Sequence, residues 1–382
     1  MMHPHRIPIL TLLGVALWAL PRPADAQRSC AEAFGDSLSR RTLVALDKVA
    51  AVRVWDDYTL GRHPLLLLAD STHRGSAGTP VCAAIWRRGV PLERIELTER
   101  PPFSTPIYGM IDSDSIGPAA IEGADQLPVV LKPAPPAVAA ALRERGVTRA
   151  VVLNVPMTFA GLGRLGEVLA SSKADPVLIQ ADLAVHESFH LHSQFPTWLD
   201  QRRTYAWPGW DRQPDRLQLR ERCYAGTPAI AAAFEAEMQA LLAAYDAVVV
   251  AEKRDKRAGR RHARRFVELR AERRRLQDTV TVPQGNRTIS CELAENLMEL
   301  EEGTTQWLGH ATTVRAGLTT TARLRGPYSG TQPERFYQTG PLQLWILEGL
   351  RGPKAMRRIT ASIARSKGPE GSLFPQFARL AR

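Results

Sequence analysis

Cysteine is scarce in this chain. Four residues in 382, Cys30, Cys82, Cys223 and Cys291, stand singly with no C-x-x-C pair among them, so a cysteine-spaced metal module is excluded. Internal repeats are absent, as are low-complexity tracts apart from one arginine-rich run. Beyond the first twenty residues no apolar run is long enough to cross a bilayer. Hydrophobic residues make up 44% of the chain, which is ample for a core, and the length fits one large domain or two modest ones.

The N-terminus carries a pattern of its own. In "MMHPHRIPILTLLGVALWALPRPADAQ" a short start with Arg6 leads into an apolar run from Ile7 to Leu20, then into Ala24-Asp25-Ala26, a small-x-small cleavage site before Gln27. The expectation is a signal peptide over 1–26 and a mature chain of 27–382, soluble in the periplasm or secreted. An uncleaved anchor is the alternative. An oxidising compartment makes disulfides expected, and Cys223 with Cys291 is the preferred pair because the two bracket a long helical insert. Free buried thiols are the other reading.

The net charge of +11 is mostly local. Residues 253–275, "KRDKRAGRRHARRFVELRAERRR", hold twelve Lys or Arg against three Asp or Glu. In an exported protein this stripe points to a solvated helix face or to contact with anionic envelope polymers and lipids, rather than to nucleic acid.

From Thr42 to Val155 short apolar runs are punctuated by Gly, Pro, Asp and Ser. The spacing predicts strands at 64–69, 81–86, 93–98, 107–112 and 149–155, a mixed sheet within a β-rich part spanning 27–175. The segment "LKPAPPAV" reads as an exposed connection. From 176 to 382 helical spacing dominates. Helices are expected from Pro176 or Ala181 to His192, over a long basic insert 228–276 bent at Gly259, from Cys291 to Gly309, and over 335–350 as the last clear one.

Within the first of these helices lies "HESFH". Residues four apart share a helix face, so His186 and His190 can offer two imidazoles to one ion. A catalytic zinc takes three protein ligands and keeps one position open. Glu187 would then stand beside the site as general base rather than as ligand. A metzincin histidine does not follow, since the residues after His190 are Leu-His-Ser-Gln-Phe-Pro. The third ligand is sought among the carboxylates of "ELAENLMELEEGTTQWLGH", 292–310.

"HESFHLHSQ" followed by "ELEEGTTQWLG" resembles the gluzincin metallopeptidases, in which the HExxH helix is joined by a helix reading roughly W-L-x-E-G-x-A. The resemblance implies that Glu302, before Gly303, is the third zinc ligand. Glu299 stands in the tryptophan's place and Thr305 in the alanine's. It also implies that Tyr337 of Tyr337-Gln-Thr-Gly340 donates a hydrogen bond to the tetrahedral intermediate, with an ordinary packing tyrosine as the other reading. Glu221 is the reserve ligand, and no G-x-M-E-N exopeptidase motif is present. Glu295, Glu299 and Glu302 are expected to share a helix face, where one could hold a histidine N–H or all could be solvated. Asp182 has the same two readings. His192 and His310 are expected as polar partners near the cleft.

Together these imply an α+β, zincin-like fold with the N-terminal sheet packed against the HExxH helix, and a zinc peptidase acting on peptides or proteins. A non-catalytic zinc-binding or envelope-binding protein is the alternative.

Overall fold

The computed structural model describes residues 34–69, 81–97, 108–113, 132–155, 175–194, 214–324, 336–364 and 372–381. The leader, Cys30 and the tryptophan-rich segment after Gln194 lie outside them. Helix α1, Ser37–Ala50, opens the described chain, capped by the Asp36 carboxylate on the N–H groups of Leu38 and Ser39. It was not anticipated, because its buried residues, among them Leu46 and Val49, lie on one side of a polar sequence.

The expected strands follow: β1 Leu65–Ala69, β2 Val81–Trp86, β3 Glu93–Leu97, β4 Tyr108–Asp112, the two-residue β5 Lys132–Pro133, and β6 Arg149–Val155. They form one mixed sheet in the order β3-β2-β1-β6-β4-β5, with β1 and β6 parallel at its centre and Leu65 opposite Val151. Both faces are covered, so the runs are continuously apolar rather than alternating. Leu66, Leu68, Ile85 and Val152 pack on helix α2, Pro136–Glu144. The "LKPAPPAV" segment is therefore more than an exposed connection: it supplies β5, and Pro136 starts α2 where a missing N–H costs nothing.

Leu65, Leu67, Val151, Leu153 and Val155 face the other way, into the main core. There they meet α3, Pro176–Phe189, which carries the HExxH residues. Two polar contacts fix α3 to the sheet side: the Tyr58 hydroxyl donates to the Val185 carbonyl at 3.1 Å, and the Gln180 side-chain amide donates to the Asn154 carbonyl of β6.

The basic insert is a helical hairpin rather than one bent helix. Helix α4, Pro228–Tyr245, ends in a π-helical turn over Asp246–Val250, and α5, Lys256–Leu276, runs back alongside it. Asp255 decides the break by capping α5, its carboxylate accepting from the Ala258 N–H at 2.9 Å. Gly259 instead permits close packing, since a Cβ there would lie 2.2 Å from Val248 Cγ1. The hairpin β7 Thr281–Gln284 and β8 Arg287–Ser290 then leads into α6, Cys291–Met298, a π-helical turn over Glu299–Gly303, and α7, Thr304–Arg315. Helix α8, Phe336–Arg351, is not the last, because α9, Pro353–Ala364, and α10, Leu373–Ala381, follow.

The arginine stripe is divided. Arg270 and Arg273 are fully buried, with Arg270 gripping Glu299 through two bonds of 2.9 and 2.8 Å and Glu237 through one of 2.8 Å. Arg273 bonds Glu237 at 2.7 Å and Glu295 at 2.7 Å, and Arg274 bonds Glu295 at 3.2 Å. Three arginines thus meet three carboxylates, so the buried charge is neutral, although the Arg274 Nε finds no partner among the described residues. The cations of the N-terminal half, Lys253 through Arg257 and Arg261, remain exposed. Cys223 and Cys291 are bridged, as expected, and Cys82 is also disulfide-bonded. Among the described residues no helix is long and apolar enough to cross a membrane.

Candidate metal centre

Helix α3 begins where Asp175 accepts from the Val177 N–H at 3.0 Å and Pro176 takes the first helical position. Its flanks, Ala181, Ala184, Val185 and Phe189, are buried, which carries His186, Glu187 and His190 into the interior at 7%, 3% and 1% exposure. Polar side chains at that depth need partners. After Phe189 the helix widens into a π-helical turn, His190–Gln194. This turn sets Gln194 against His190, with Oε1 2.6 Å from Nδ1. The Gln194 Nε2 donates to the Glu301 carbonyl at 3.2 Å and to the Thr304 hydroxyl at 3.1 Å. Gln194 Oε1 is therefore the acceptor and His190 Nδ1 carries a proton, which leaves His190 Nε2 as the ring nitrogen that faces the opposite side.

That side meets His186 and Glu302. The two Nε2 atoms lie 3.2 Å apart, and Glu302 Oε2 is 3.4 Å from each of them. His186, His190 and Glu302, all buried, form a group that could hold a metal ion. Glu187 Oε1 is 3.9 Å from His186 Nε2, at the edge of the same pocket. Tyr337 is half-buried beside it, its ring centroid 6.5 Å from that of His186. The five expected site residues are thus assembled from three helical segments.

Two glycines allow this. A Cβ on Gly303 would lie 2.7 Å from the Gly340 Cα, and one on Gly340 would lie 2.6 Å from the Gly303 Cα. The turn that ends in Glu302-Gly303 and helix α8 cross backbone against backbone, which brings Tyr337 near Glu302.

Electrostatics favour a positive charge at the centre of the group. Burial works against a charge on His190, yet hydrogen bonding to Glu302 and the fields of Glu302, Glu187 and Glu301 raise its pKa to about 9. His186 is lowered, chiefly by burial, so the pair does not carry two positive charges. Burial also opposes the Glu302 charge, but bonds from His186 and His190, with Arg216 nearby, hold this carboxyl well below the usual range.

Gln194 and Arg216 are the partners that sequence reasoning missed. Arg216 Nη2 donates to Glu302 Oε1 at 2.6 Å and its Nη1 donates to the Tyr337 hydroxyl at 3.1 Å. Lying 86 residues from Glu302 in the chain, Arg216 gives no spacing signal.

Other expected residues lie outside the group, and both readings of Glu295 and Glu299 are corrected. Glu295 and Glu299 neither hold a histidine nor face solvent, because the π-helical turn rotates Glu302 away from them and leaves both against Arg270 and Arg273. Asp182 points at α7, accepting from Gln306 Nε2 at 3.3 Å with His310 Nε2 3.6 Å away, and burial raises its pKa to about 7. His310 is buried there, bonded to Gln306 and lowered to about 3 by burial and His186. His192 stacks on His63 with centroids 4.1 Å apart, lowered to about 3 by burial and the charge of His63. Glu221 is exposed beside Arg220 and is no part of the group.

Comparison of the chain with models of protein families, with curated proteins and with solved structures finds no match.

Proposed function

We propose that this protein is an exported zinc-dependent hydrolase of gluzincin type with a zincin-like fold, cleaving peptide bonds. The observation that carries the reading is the triangle of donor atoms, with edges of 3.2, 3.4 and 3.4 Å. Ligands 2.0–2.2 Å from a tetrahedral centre stand about 3.3 to 3.6 Å apart, so the donors already have the spacing of three corners of a zinc site. Two imidazoles and a carboxylate suit zinc among the available divalent ions. Among the described residues no fourth His, Cys, Asp or Glu joins the group, which favours a catalytic site over a closed structural one.

His186, His190 and Glu302 would hold the ion, which when bound supplies Lewis acidity that polarises a carbonyl and makes water acidic near neutral pH. Glu187, beside His186, takes the proton of the attacking water and returns it to the departing amine. The Tyr337 hydroxyl donates to the oxyanion as it forms. His190 keeps its orientation through Gln194. A peptide-library digest tests the reading. Wild type should cleave, a chelator should stop it, and Glu187→Gln should lose at least a hundredfold in rate while retaining zinc. Retained zinc with no cleavage in wild type would favour the competing reading, a non-catalytic zinc-binding protein.

One observation supports a surface role alongside. The exposed cations at the start of α5, including Arg257 and Arg261, have few acidic neighbours, unlike the neutralised half beyond Arg270. We assign to them contact with an anionic envelope surface. Binding to vesicles of anionic phospholipid should weaken with salt and with R257Q/R261Q, and should ignore a chelator.

A further inference from the structure

We propose that Arg216 is a positioning residue that dictates how Glu302 and Tyr337 present their oxygens. This rests on the metal-site reading above. The guanidinium binds one oxygen of each: Glu302 Oε1 at 2.6 Å and the Tyr337 hydroxyl at 3.1 Å. Glu302 is thereby divided. Oε1 is committed to Arg216, and Oε2 alone stands 3.4 Å from both histidine nitrogens. A carboxylate held this way gives one donor atom to an ion rather than two, which keeps a coordination position open for substrate or water. A guanidinium has donors only, so the Tyr337 oxygen accepts from it and the phenol's own proton is directed elsewhere. That polarity is what an oxyanion donor needs.

The segment bearing Arg216 is fastened on two sides. Asp215 N–H donates to the Pro283 carbonyl of β7 at 2.9 Å, and the Asp215 carboxylate caps the turn at the Gln218 N–H, also at 2.9 Å. Cys223, next along, is bridged to Cys291 at the head of α6, the helix that leads into Glu302. The guanidinium also lies 5.8 Å from the Phe336 ring centroid and 5.9 Å from that of Tyr337. Fork geometry matters here, since a lysine offers a point charge and cannot span both oxygens in a fixed plane.

Charge and orientation predict opposite signs. A cation beside the ligand carboxylate repels an incoming dication, so if charge alone mattered, removing it would strengthen metal binding. If Arg216 acts by orientation, removing it weakens binding by about 10- to 100-fold, as for other groups that orient metal ligands. The test uses the full mature chain loaded with zinc or cobalt(II). Zinc affinity is measured by chelator competition and coordination by the visible spectrum of the cobalt form. R216Q is expected to lose at least tenfold in affinity and to show weaker visible bands, as Glu302 turns to offer both oxygens and the coordination number rises. R216K should fall between, and Y337F, which leaves the Arg216–Glu302 bond in place, should match wild type in both readouts. A wild type that takes up both ions beside an R216Q with equal or higher affinity and an unchanged spectrum overturns the assignment to Arg216 alone. A wild type that takes up neither ion overturns the metal-site reading and this inference with it.

Discussion

Asp182 sits one helical turn before His186 with a carboxyl that the fold prefers to keep protonated. Its folded pKa, raised by burial to about 7, lies above the ordinary 3.8. A protonated Asp182 therefore contributes stability that is complete below pH 4 and is lost as pH rises through 7. Its side chain is a fifth exposed, which reduces the effect to about 2 kcal/mol. Asp182→Asn should match wild type in Tm below pH 4, where both carry a neutral side chain, and exceed it at pH 8. A difference of the same size at both values would contradict the assignment. At this scale the sequence told much about His186, Glu187 and His190, because a single helix carries all three. It told nothing of Arg216 and Gln194, which are joined to the group by packing between distant segments and by a turn that departs from α-helical register.

That departure governs the elements. Glu295, Glu299 and Glu302 were placed on one face by α-helical spacing, yet the π-helical turn over Glu299–Gly303 separates them. Glu295 and Glu299 face the arginines of α5 while Glu302 faces the histidines. Such turns recur at functional sites, and here another begins at His190. The glycine crossing is equally tight. Gly340→Ala must push a methyl against the Gly303 backbone, so we expect a loss of about 1 to 3 kcal/mol, read as a lower Tm, together with weaker metal binding as Glu302 shifts. Unchanged stability and affinity would mean that the two backbones do not meet there. The five main strands were legible because apolar runs bounded by turn residues leave few alternatives. Helix α1 was not, since polar residues outnumber its buried stripe, and the break in the insert is hidden because a capping Asp255 is hard to see inside a basic run.

The whole molecule joins a sheet covered on both faces to a helical part through α3, so the candidate site lies where the two meet. The Cys223–Cys291 bridge spans 68 residues and encloses the α4–α5 hairpin, whose inner arginines hold the carboxylates upstream of Glu302. Closing a loop of that length stabilises the fold by about 4 kcal/mol. The double variant C223S/C291S should lose about that much in denaturant unfolding, and a loss below 1 kcal/mol would contradict a role for the bridge in holding the insert. The central claim is that His186, His190 and Glu302 form one zinc site, and the zinc content of the purified mature protein tests it most directly. Wild type should carry one zinc per chain, with His190→Ala and Glu302→Ala each carrying almost none while remaining folded. A wild type free of zinc after metal-replete expression, or variants that keep it, would contradict the account.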